Sequence, residues 1–423
     1  MSRGPVIALV DGEHHPSAVR DVLDRLDRER GLAGVIFCGG EEKVRAGALA
    51  EAEQHYGRPL EVEGGAEGSL RRLAAGDGRV VLDLADEPIL PASAKLRLAA
   101  IALHLGLDFE GPGLRLSAPR YGVVDFDGPK LAVIGTGKRA GKTAVAGHWG
   151  MLLRERGVEA VIVSMGRGGP ADPTLGPSAA SLEDLVEIAA AGRHAASDYL
   201  EHTALAGVRA VGCRRVGGGL AGEPFASNVL AGGRLAASLE PDALVFDGSG
   251  ACIPPVEVDR TVCVVGDRAG ALAELGPYRL LRADLVLVMG DDDDLPAAVA
   301  AIAKGDVIRS TMLPESTEEL PADARVAVFS TGAERPRDVE PTVESSNLAR
   351  RGALEQDLDR AAAERCDVYL TELKAAAIDT VAARARREGA RVVFLRNRPV
   401  GLEGDLDAAL VALHSDAALH RDA

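Results

Sequence analysis

Short apolar runs alternate with amphipathic stretches through the first part of the chain. Val6–Val10 is a run of five apolar residues that ends at a polar segment, which predicts a buried strand. The next stretch spaces apolar residues as one face of a helix does and ends at Gly31; this face carries Val19, Val22, Leu23 and Leu26. Two further apolar runs lie within 34–40 and 79–88. The alternation predicts an α/β fold with a Rossmann-like parallel sheet over residues 1–127.

The alternation restarts near residue 128 and continues through the rest of the sequence. The apolar runs predicted as strands are 131–135, 159–165, 207–213, 243–248, 261–266, 285–290, 326–331, 367–373 and 390–395. Most are followed by helix-like stretches, so they predict a second, larger doubly wound sheet. The segment 109–130 is rich in Gly and Pro and is expected to connect the two domains. We place the boundary near Asp127, which gives domains of 1–127 and 128–423.

A phosphate-binding motif lies at the start of the second domain. The P-loop pattern is G-x-x-x-x-G-K-[ST], and the chain matches its second half, although Thr136 stands at the position of the first glycine. An apolar strand precedes the loop, and an amphipathic helix ending at Gly157 follows it, which is the context that the motif needs. The chain is therefore predicted to hold a P-loop NTPase domain. The predicted ATP-binding residues are Gly135, Thr136, Gly137, Lys138, Gly141, Lys142 and Thr143.

Each part of this loop suits the binding of phosphate. Glycines let backbone N–H groups converge on phosphate oxygens, and the start of the helix adds its dipole. Lys142 is predicted to reach the β- and γ-phosphates, and the Thr143 hydroxyl is predicted to bind Mg²⁺. Lys138 and Arg139 add two positive charges. Asp247 closes an apolar run before small residues and is predicted as the second Mg²⁺ ligand, the alternative being a cap on the following turn.

Arginines beside glycines indicate a second anion-binding region. Arg167 follows an apolar run, and Gly168 and Gly169 after it allow close approach of the backbone to an anion. Arg215 lies in a similar segment, before three glycines. Each segment alone is a weak signal, because an arginine beside glycines in a loop is usually just solvated. Together with the P-loop they predict substrate-binding residues for a site that holds more phosphate than ATP alone carries.

Polar residues after the first strand form a third candidate site. Asp11, Glu13, His14 and His15 come directly after the strand, and ligands of open α/β sheets bind at the carboxyl ends of strands. Asp11, Glu13 and His14 are predicted to bind substrate, and carboxylates and imidazoles there also suit metal binding or proton transfer. They equally suit a cap on the helix that follows. Glu372 and Lys374, at the end of a predicted strand late in the chain, are weaker candidates for a role in a functional site.

The charge balance narrows the class of partner. Asp and Glu number 64 against 48 Lys and Arg, a net charge of −16, which argues against a nucleic-acid binder. A polyanionic substrate must then be held by a local cluster of cations. Five scattered cysteines without a C-x-x-C pair are typical of a reducing cytoplasm. No apolar run approaches the ~18 residues of a membrane span, so no membrane partner is predicted.

The motifs together resemble a known family. The run VIGTGKRAGKTAV, with SMGRGGP, FDGSGACIPP and the early LVDGEHH, resembles cyclic 2,3-diphosphoglycerate synthetase over nearly the whole chain. The P-loop half is similar to dethiobiotin synthetase and related ATPases, whose loops also carry Thr at the first glycine position. The resemblance implies a cytoplasmic, dimeric enzyme, stimulated by potassium. It implies that ATP and Mg²⁺ are used to close 2,3-diphosphoglycerate into a cyclic pyrophosphate, with release of ADP and phosphate.

The residues agree with that chemistry, because joining two phosphates requires positioning and charge neutralisation. We expect the γ-phosphoryl group to pass to one substrate phosphate, which the neighbouring phosphate then attacks. Two alternatives are a dethiobiotin synthetase-like ligase for another small acid and a P-loop regulatory ATPase. A GTP-specific switch is disfavoured, because the nearest match to its N-K-x-D motif is AKGD at 303–306. The predicted catalytic residues are Lys138, Arg139, Lys142 and Arg167.

Overall fold

The computed structural model describes residues 4–44, 49–332 and 335–419. The first elements are β1 (Val6–Val10), α1 (Pro16–Arg30), β2 (Leu32–Phe37), a 3₁₀ turn (Glu41–Lys43), α2 (Ala52–Tyr56), α3 (Gly65–Leu73), β3 (Val80–Asp83), α4 (Ala92–His104), β4 (Asp108–Gly111) and β5 (Leu114–Leu116). These strands form a sheet in the order β2-β1-β3-β4-β5, with β5 antiparallel to β4 and the other pairs parallel.

The helix α1 shows how the local sequence sets the first of these elements. His15 caps it, because its Nδ1 accepts the N–H of Ser17, and Pro16 opens the first turn, where its missing N–H costs nothing. Val19, Leu23 and Leu26 are buried, as the helical spacing predicts, and pack under the sheet. For His15, the structure therefore supports the capping alternative.

The chain continues with a longer series of elements. They are β6 (Lys130–Gly135), α5 (Lys142–Glu155), β7 (Ala160–Gly166), β8 (Thr174–Leu175), α6 (Leu182–Ala190), α7 (Asp198–Glu201), a π-helix (His202–Ala206), β9 (Arg209–Val216), β10 (Ala226–Ser227), α8 (Val229–Ala237), β11 (Ala243–Asp247), β12 (Arg260–Val265), α9 (Arg268–Leu272), α10 (Gly276–Arg282), β13 (Leu285–Met289), α11 (Leu295–Ala300) and β14 (Asp306–Ser316).

The last part of the chain adds four strands and further helices. They are β15 (Val326–Phe329), β16 (Val343–Ser345), α12 (Arg351–Ala363), β17 (Val368–Glu372), a π-helix (Ala377–Ala382), α13 (Ala383–Glu388), β18 (Arg391–Gly401) and α14 (Leu406–Leu419).

The strands from β6 onward form one large sheet with two parallel blocks. Its order is β10-β9-β7-β11-β6-β12-β13-β14-β18-β17-β15-β16, with β8 beside β9. The strands from β9 to β14 are parallel, and so are those from β18 to β16. β14 and β18 are antiparallel and join the blocks. The predicted fold class is confirmed: an α/β chain with a parallel-dominated N-terminal sheet and a larger P-loop sheet.

The chain forms two compact units. The first contains the described residues up to Arg120, with Arg268–Arg282 and Ala301–Lys304; in it, α10 packs against α4, and α9 packs against α10. The second contains Tyr121–Asp267, Ala283–Ala300 and the described residues from Gly305 onward. Within residues 4–44, 49–332 and 335–419, no helix combines the length and the apolar character needed to cross a membrane.

The segment 109–130, predicted as a connection between domains, begins with regular structure. β4 and β5 lie in or overlap its start, and they pair with each other around a turn in which Gly113 has a φ of 74°. The sequence analysis also missed β14, whose residues are mostly half-exposed. It missed β14 because half-exposed strands lack the continuous apolar run by which the buried strands were found.

Candidate active site

The P-loop connects β6 to α5 at the carboxyl edge of the first parallel block. All six residues of β6 are buried, and α5 begins at Lys142, directly after the loop. Gly141 precedes this helix with a φ of 100°, a left-handed conformation that favours glycine. A Cβ at Gly141 would also lie 2.3 Å from Cε of Met312. The local fold therefore requires the second glycine of the motif.

Thr136, at the position of the first glycine, ties the loop to the neighbouring strand β12. Its N–H donates to the carbonyl of Val264 at 3.1 Å, and its Oγ1 accepts the N–H of Gly266 at 3.4 Å. The crowded position is the one before it, since a Cβ at Gly135 would lie 2.9 Å from the Val264 carbonyl oxygen. The loop thus keeps a glycine where β12 approaches and uses threonine where a side chain fits.

Lys142 is buried and folded onto its own loop. Its Nζ donates to the carbonyl of Gly137 at 2.8 Å. Burial lowers the pKa of Lys142, and the nearby carboxylates of Asp247 and Asp198 oppose that effect. The ammonium therefore sits between a backbone carbonyl and acidic side chains, where phosphate oxygens can replace the carbonyl as its partner.

The tip of the loop is open and cationic. Lys138 and Arg139 are exposed, and Arg139 has a φ of 64°, a strained conformation for a residue with a side chain. A Cβ at Gly137 would meet nothing nearer than 3.9 Å. The predicted ATP-binding residues thus run from the end of β6 through the loop to the first turn of α5, with space beside Gly137.

Asp247 ends β11, the strand beside β6, and is 1 % exposed. Its Oδ2 lies 3.2 Å from Nε2 of His202, whereas its buried Oδ1 has no hydrogen-bond partner among the described residues. A buried carboxylate oxygen without a partner suits a cation ligand. No group of three or more His, Cys, Asp or Glu side chains forms a metal site in the described part of the chain. Mg²⁺ characteristically uses few protein ligands together with phosphate oxygens and water, so this donor set fits it.

Arg167 and Arg215 converge on Gly250, in the turn after β11. A Cβ at Gly250 would lie 2.6 Å from an Nη atom of Arg167 and 3.4 Å from one of Arg215. Arg215 is buried, and its guanidinium donates to the carbonyls of Gly217 (2.8 Å) and Ser249 (2.9 Å). Arg167 is exposed. Arg215 therefore holds the loop, while Arg167 is available to an anion.

The two glycines after Arg167 differ in their surroundings. A Cβ at Gly169 would lie 2.0 Å from the carbonyl oxygen of Cys213 in β9, so the packing of the loop on that strand requires this glycine. A Cβ at Gly168 would meet nothing within 4 Å. Of these two glycines, Gly168 is the one with open space beside it, where the missing side chain leaves room for a ligand.

Three polar residues that the sequence analysis did not single out lie beside Asp247 and Lys142. Asp198 and Glu201 lie on α7, and His202 starts the π-helix that continues it. Their i, i+3, i+4 spacing places them on one helical face, which is the signal that the sequence offered. Burial, followed by the charge of Asp247, raises the pKa of Asp198, and burial raises the pKa of Glu201. Together with Lys142 and Asp247, these three side chains form a buried polar cluster, called the P-loop cluster below.

The end of β17 reaches the same cluster. Glu372 accepts hydrogen bonds from the N–H (2.6 Å) and Oγ1 (2.8 Å) of Thr331 and from Nδ2 of Asn397 (3.2 Å). Lys374, two residues later, has its Nζ 3.9 Å from Oε1 of Glu201. The structure therefore brings both late candidates to the P-loop cluster.

Three family models match consecutive parts of the chain. They are the N-terminal, P-loop and C-terminal domains of cyclic 2,3-diphosphoglycerate synthetase, over residues 5–117, 130–310 and 323–398. A cyclic 2,3-diphosphoglycerate synthetase from Rubrobacter xylanophilus is 41 % identical over 435 residues, covering 96 % of each chain. This chain belongs to the cyclic 2,3-diphosphoglycerate synthetase family. A member from Methanothermobacter thermautotrophicus is 33 % identical and covers 96 % of this chain and 95 % of its own.

Similarity to solved structures is weaker. LpxK from Aquifex aeolicus, crystallised in complex with ATP, is 14 % identical, with a TM-score of 0.40 over 70 % of this chain and 90 % of that chain.

The domain division of the cyclic 2,3-diphosphoglycerate synthetase family places the cluster across two family domains. Lys142 and Asp247 lie in the P-loop domain, 130–310, and Glu372 and Lys374 lie in the C-terminal domain, 323–398. The sequence predicts a single domain of 128–423 for both pairs of residues, and these boundaries stay predictions. Lys142, Asp247, Glu372 and Lys374 all belong to the second compact unit, so the contacts among them lie within a single packed body.

The candidates Asp11, Glu13 and His14 lie in the first compact unit, in the N-terminal family domain. The order 2-1-3-4-5 places a ligand crevice at the carboxyl ends of β1 and β3. Oδ1 of the buried Asp11 accepts the N–H groups of Glu13 (3.0 Å) and His14 (3.2 Å) and contacts Nδ1 of His14 at 2.8 Å, while Oδ2 accepts the N–H of Asp86. Glu13 pairs with Lys43. Asp11 thus shapes the turn, and His14, whose side chain is 41 % exposed, faces solvent.

Proposed function

We propose that this protein uses ATP to close 2,3-diphosphoglycerate into cyclic 2,3-diphosphoglycerate, releasing ADP and phosphate. The observation that carries the proposal is the P-loop of a family member. Lys142 starts the helix after this loop, and its charge interacts with Asp247, whose unpartnered Oδ1 lies at the end of the strand next to β6. A nucleotide triphosphate and a metal ion are the ligands that such an arrangement binds.

The reaction divides into two displacements at phosphorus. In the first, an oxygen of one substrate phosphate attacks the γ-phosphorus of ATP, the bond to the β-phosphate oxygen breaks, and ADP leaves. In the second, an oxygen of the neighbouring phosphate attacks the activated substrate phosphorus and expels inorganic phosphate. Both steps bring anions together, so the protein acts through positioning and charge neutralisation. We assign this role to Lys138, Arg139, Lys142 and Arg167.

Mg²⁺ would be held by the Thr143 hydroxyl and by Oδ1 of Asp247. The ion supplies neutralisation of charge on the phosphate oxygens. His202 holds Oδ2 of Asp247 at 3.2 Å, so the other carboxylate oxygen is fixed in direction. This chain's own contribution is therefore a pre-oriented oxygen ligand in a buried position.

We assign the substrate to the arginine-glycine loops and to the polar turn of the first unit. Arg167 and the open backbone at Gly168 suit a substrate phosphate, with Arg215 and Gly169 shaping the loops around them. Asp11, Glu13 and His14 remain our candidates in the N-terminal domain, with His14 the exposed member. We further infer a cytoplasmic homodimer that potassium stimulates, in line with the family resemblance.

A substrate screen tests the proposed activity against its alternatives. ADP release would be measured with 2,3-diphosphoglycerate, with either monophosphoglycerate, and with a diaminated acid of the kind that dethiobiotin synthetase activates. Of these acids, we expect only 2,3-diphosphoglycerate to cause ADP release, because both vicinal phosphates take part. Release with a monophosphoglycerate, or faster release with the diaminated acid, would contradict the proposal, and release without any added acid would indicate a regulatory ATPase.

A further inference from the structure

The two parallel blocks of the large sheet present their carboxyl edges to each other. β13 ends at Met289, opposite Ser310 of β14, and β17 ends at Glu372, opposite Leu395 of β18. The ribbon of β14 and β18 between them pairs Ser310 with Gly401 and Ser316 with Leu395. Because β14 and β18 are antiparallel, the two edges face one another across this ribbon, roughly 20 Å long at ~3.3 Å per residue. This distance along the strands is comparable to the length of a nucleoside triphosphate.

Lys374 follows the carboxyl end of β17, at the edge of the second parallel block. Its side chain is 39 % exposed, whereas that of its neighbour Glu201 is 12 % exposed. The Nζ to Oε1 distance of 3.9 Å is too long for a hydrogen bond, and no hydrogen bond joins Nζ to any other described residue. An ammonium group has three donors. Lys374 therefore has donors without a hydrogen-bond partner among the described residues, on a side chain that is partly open to solvent.

The surrounding charges keep this ammonium protonated. The carboxylate of Glu201 raises the pKa of Lys374, against the lowering effect of burial, and Glu372 and Asp198 add to the rise. Arg139, at the tip of the P-loop, is close enough to lower it. The positive charge of Lys374 therefore lies near the positively charged side chains of the P-loop.

The backbone around Lys374 departs from regular helix and strand conformation. Ala375 has a φ of 49°, a left-handed conformation that is costly for a residue with a Cβ. A π-helix, Ala377–Ala382, follows at once, and another, His202–Ala206, follows Glu201. π-helical turns are rare and occur frequently at functional sites. Both partners of the pair are therefore presented by unusual backbone.

We propose that Lys374 is a catalytic residue, contributed by the C-terminal family domain, that binds the γ-phosphoryl oxygens of ATP as they are transferred at the P-loop. Glu201 holds the ammonium when phosphate is absent. The residue acts by charge and hydrogen bonding alone and neither gains nor loses a proton. This proposal rests on the proposed function for the identity of the acceptor, and on the geometry above for the position of the lysine.

The competing explanation is that Lys374 only neutralises the buried Glu201. A double-mutant cycle separates the two, with Lys374→Ala and Glu201→Gln made singly and together. If Lys374 only neutralises Glu201, Lys374→Ala has no effect in the Glu201→Gln background. If Lys374 binds the transferring phosphoryl group, we expect Lys374→Ala to lower kcat about 100-fold in both backgrounds, with little change in the Kd of ATP. Equal kcat for Glu201→Gln and for the double variant would overturn the proposal.

Two further measurements keep the test independent of folding and of the cyclisation reaction. Thermal melting of the double variant shows whether it is folded, since it carries no unpaired buried charge. Acetylation of lysines in the full-length wild-type protein, followed by mass spectrometry, should show protection of Lys374 by a non-hydrolysable ATP analogue, while the exposed Lys304 stays equally reactive. Unchanged labelling of Lys374 would contradict its contact with nucleotide. Protection without any cyclic product would instead place the failure in the proposed function.

Discussion

At the scale of single residues, the local motifs could be predicted from the sequence and their partners could not. Lys142, Thr143 and Asp247 were found because each is defined by its position at a strand end or helix start. His202 and Glu201 were missed because their roles depend on contacts with Asp247 and Lys374, which lie 45 and 173 positions away in the chain. Spacing on one helix can show that side chains share a face, but not what that face meets.

The role of Lys142 predicts a loss of chemistry without a loss of fold. Lys142→Ala removes the cation that is assigned to the phosphates, and among the described residues its Nζ gives up one hydrogen bond, to the carbonyl of Gly137. We expect turnover to fall by about 10³-fold or more, as for other charge-stabilising groups in phosphoryl transfer. Steady-state kinetics with a melting curve checks this. Product formation within a few-fold of wild type would refute the assigned role.

The unpartnered Oδ1 of Asp247 predicts a specific effect on metal dependence. Asp247→Asn keeps the shape of the side chain but removes the charge that a metal ligand needs. We expect the Mg²⁺ concentration for half-maximal activity to rise by about tenfold or more, in line with the loss of a metal-site interaction. Titration of activity with Mg²⁺ gives the answer. An unchanged titration curve would show that Asp247 only caps its turn.

His104 predicts how stability depends on pH. Burial, followed by the charges of Arg282, Arg71 and Lys304, lowers its pKa from 6.5 to about 4. Between those values the unfolded chain binds a proton that the folded chain does not, so His104 makes stability fall as the pH falls through that window. On acidification, the melting temperature of the His104→Gln variant should therefore fall less than that of the wild type. The exposed His194→Gln is the control, and an equal pH dependence of the His104 variant and wild type would contradict the account.

At the scale of elements, the buried strands could be predicted and the half-exposed ones could not. β6, β11 and β13 are continuous apolar runs because both faces of a parallel sheet are covered. β14 and β18 extend beyond the edges of their blocks, where much of their length is only partly buried, and the sequence shows only the first half of β18 as an apolar run. These two strands place the C-terminal edge against the P-loop, so the arrangement of the site depended on the elements with the weakest sequence signal.

The loop after β7 offers a matched pair of glycines. Gly169→Ala would place a Cβ 2.0 Å from the carbonyl oxygen of Cys213, while Gly168→Ala meets nothing within 4 Å. We expect Gly169→Ala to cost about 1–3 kcal/mol of stability through the forced shift of the loop from β9. Gly168→Ala should leave stability unchanged and raise the KM for the acidic substrate. Equal melting temperatures for the two variants would contradict the packing role of Gly169.

At the scale of the whole molecule, a strongly acidic chain carries out chemistry on anions by local concentration of cations. The net charge is −16, yet Lys142, Lys374, Arg139 and Arg167 all border one region of the second unit. They come from three loops and two family domains. The motifs of the P-loop half indicated the chemistry from the sequence. The contribution of the C-terminal domain could be recognised only from the structure, in which one sheet joins the strands of the two family domains.

The most direct test of the central claim is a phosphorus NMR spectrum of the wild-type protein with ATP, Mg²⁺ and 2,3-diphosphoglycerate. We predict that resonances of a cyclic pyrophosphate appear while the two phosphomonoester signals of the substrate decline, with ADP and inorganic phosphate formed in equal amounts. ADP and phosphate forming while both substrate signals stay unchanged would contradict the claim, because the protein would then hydrolyse ATP without joining the two phosphates.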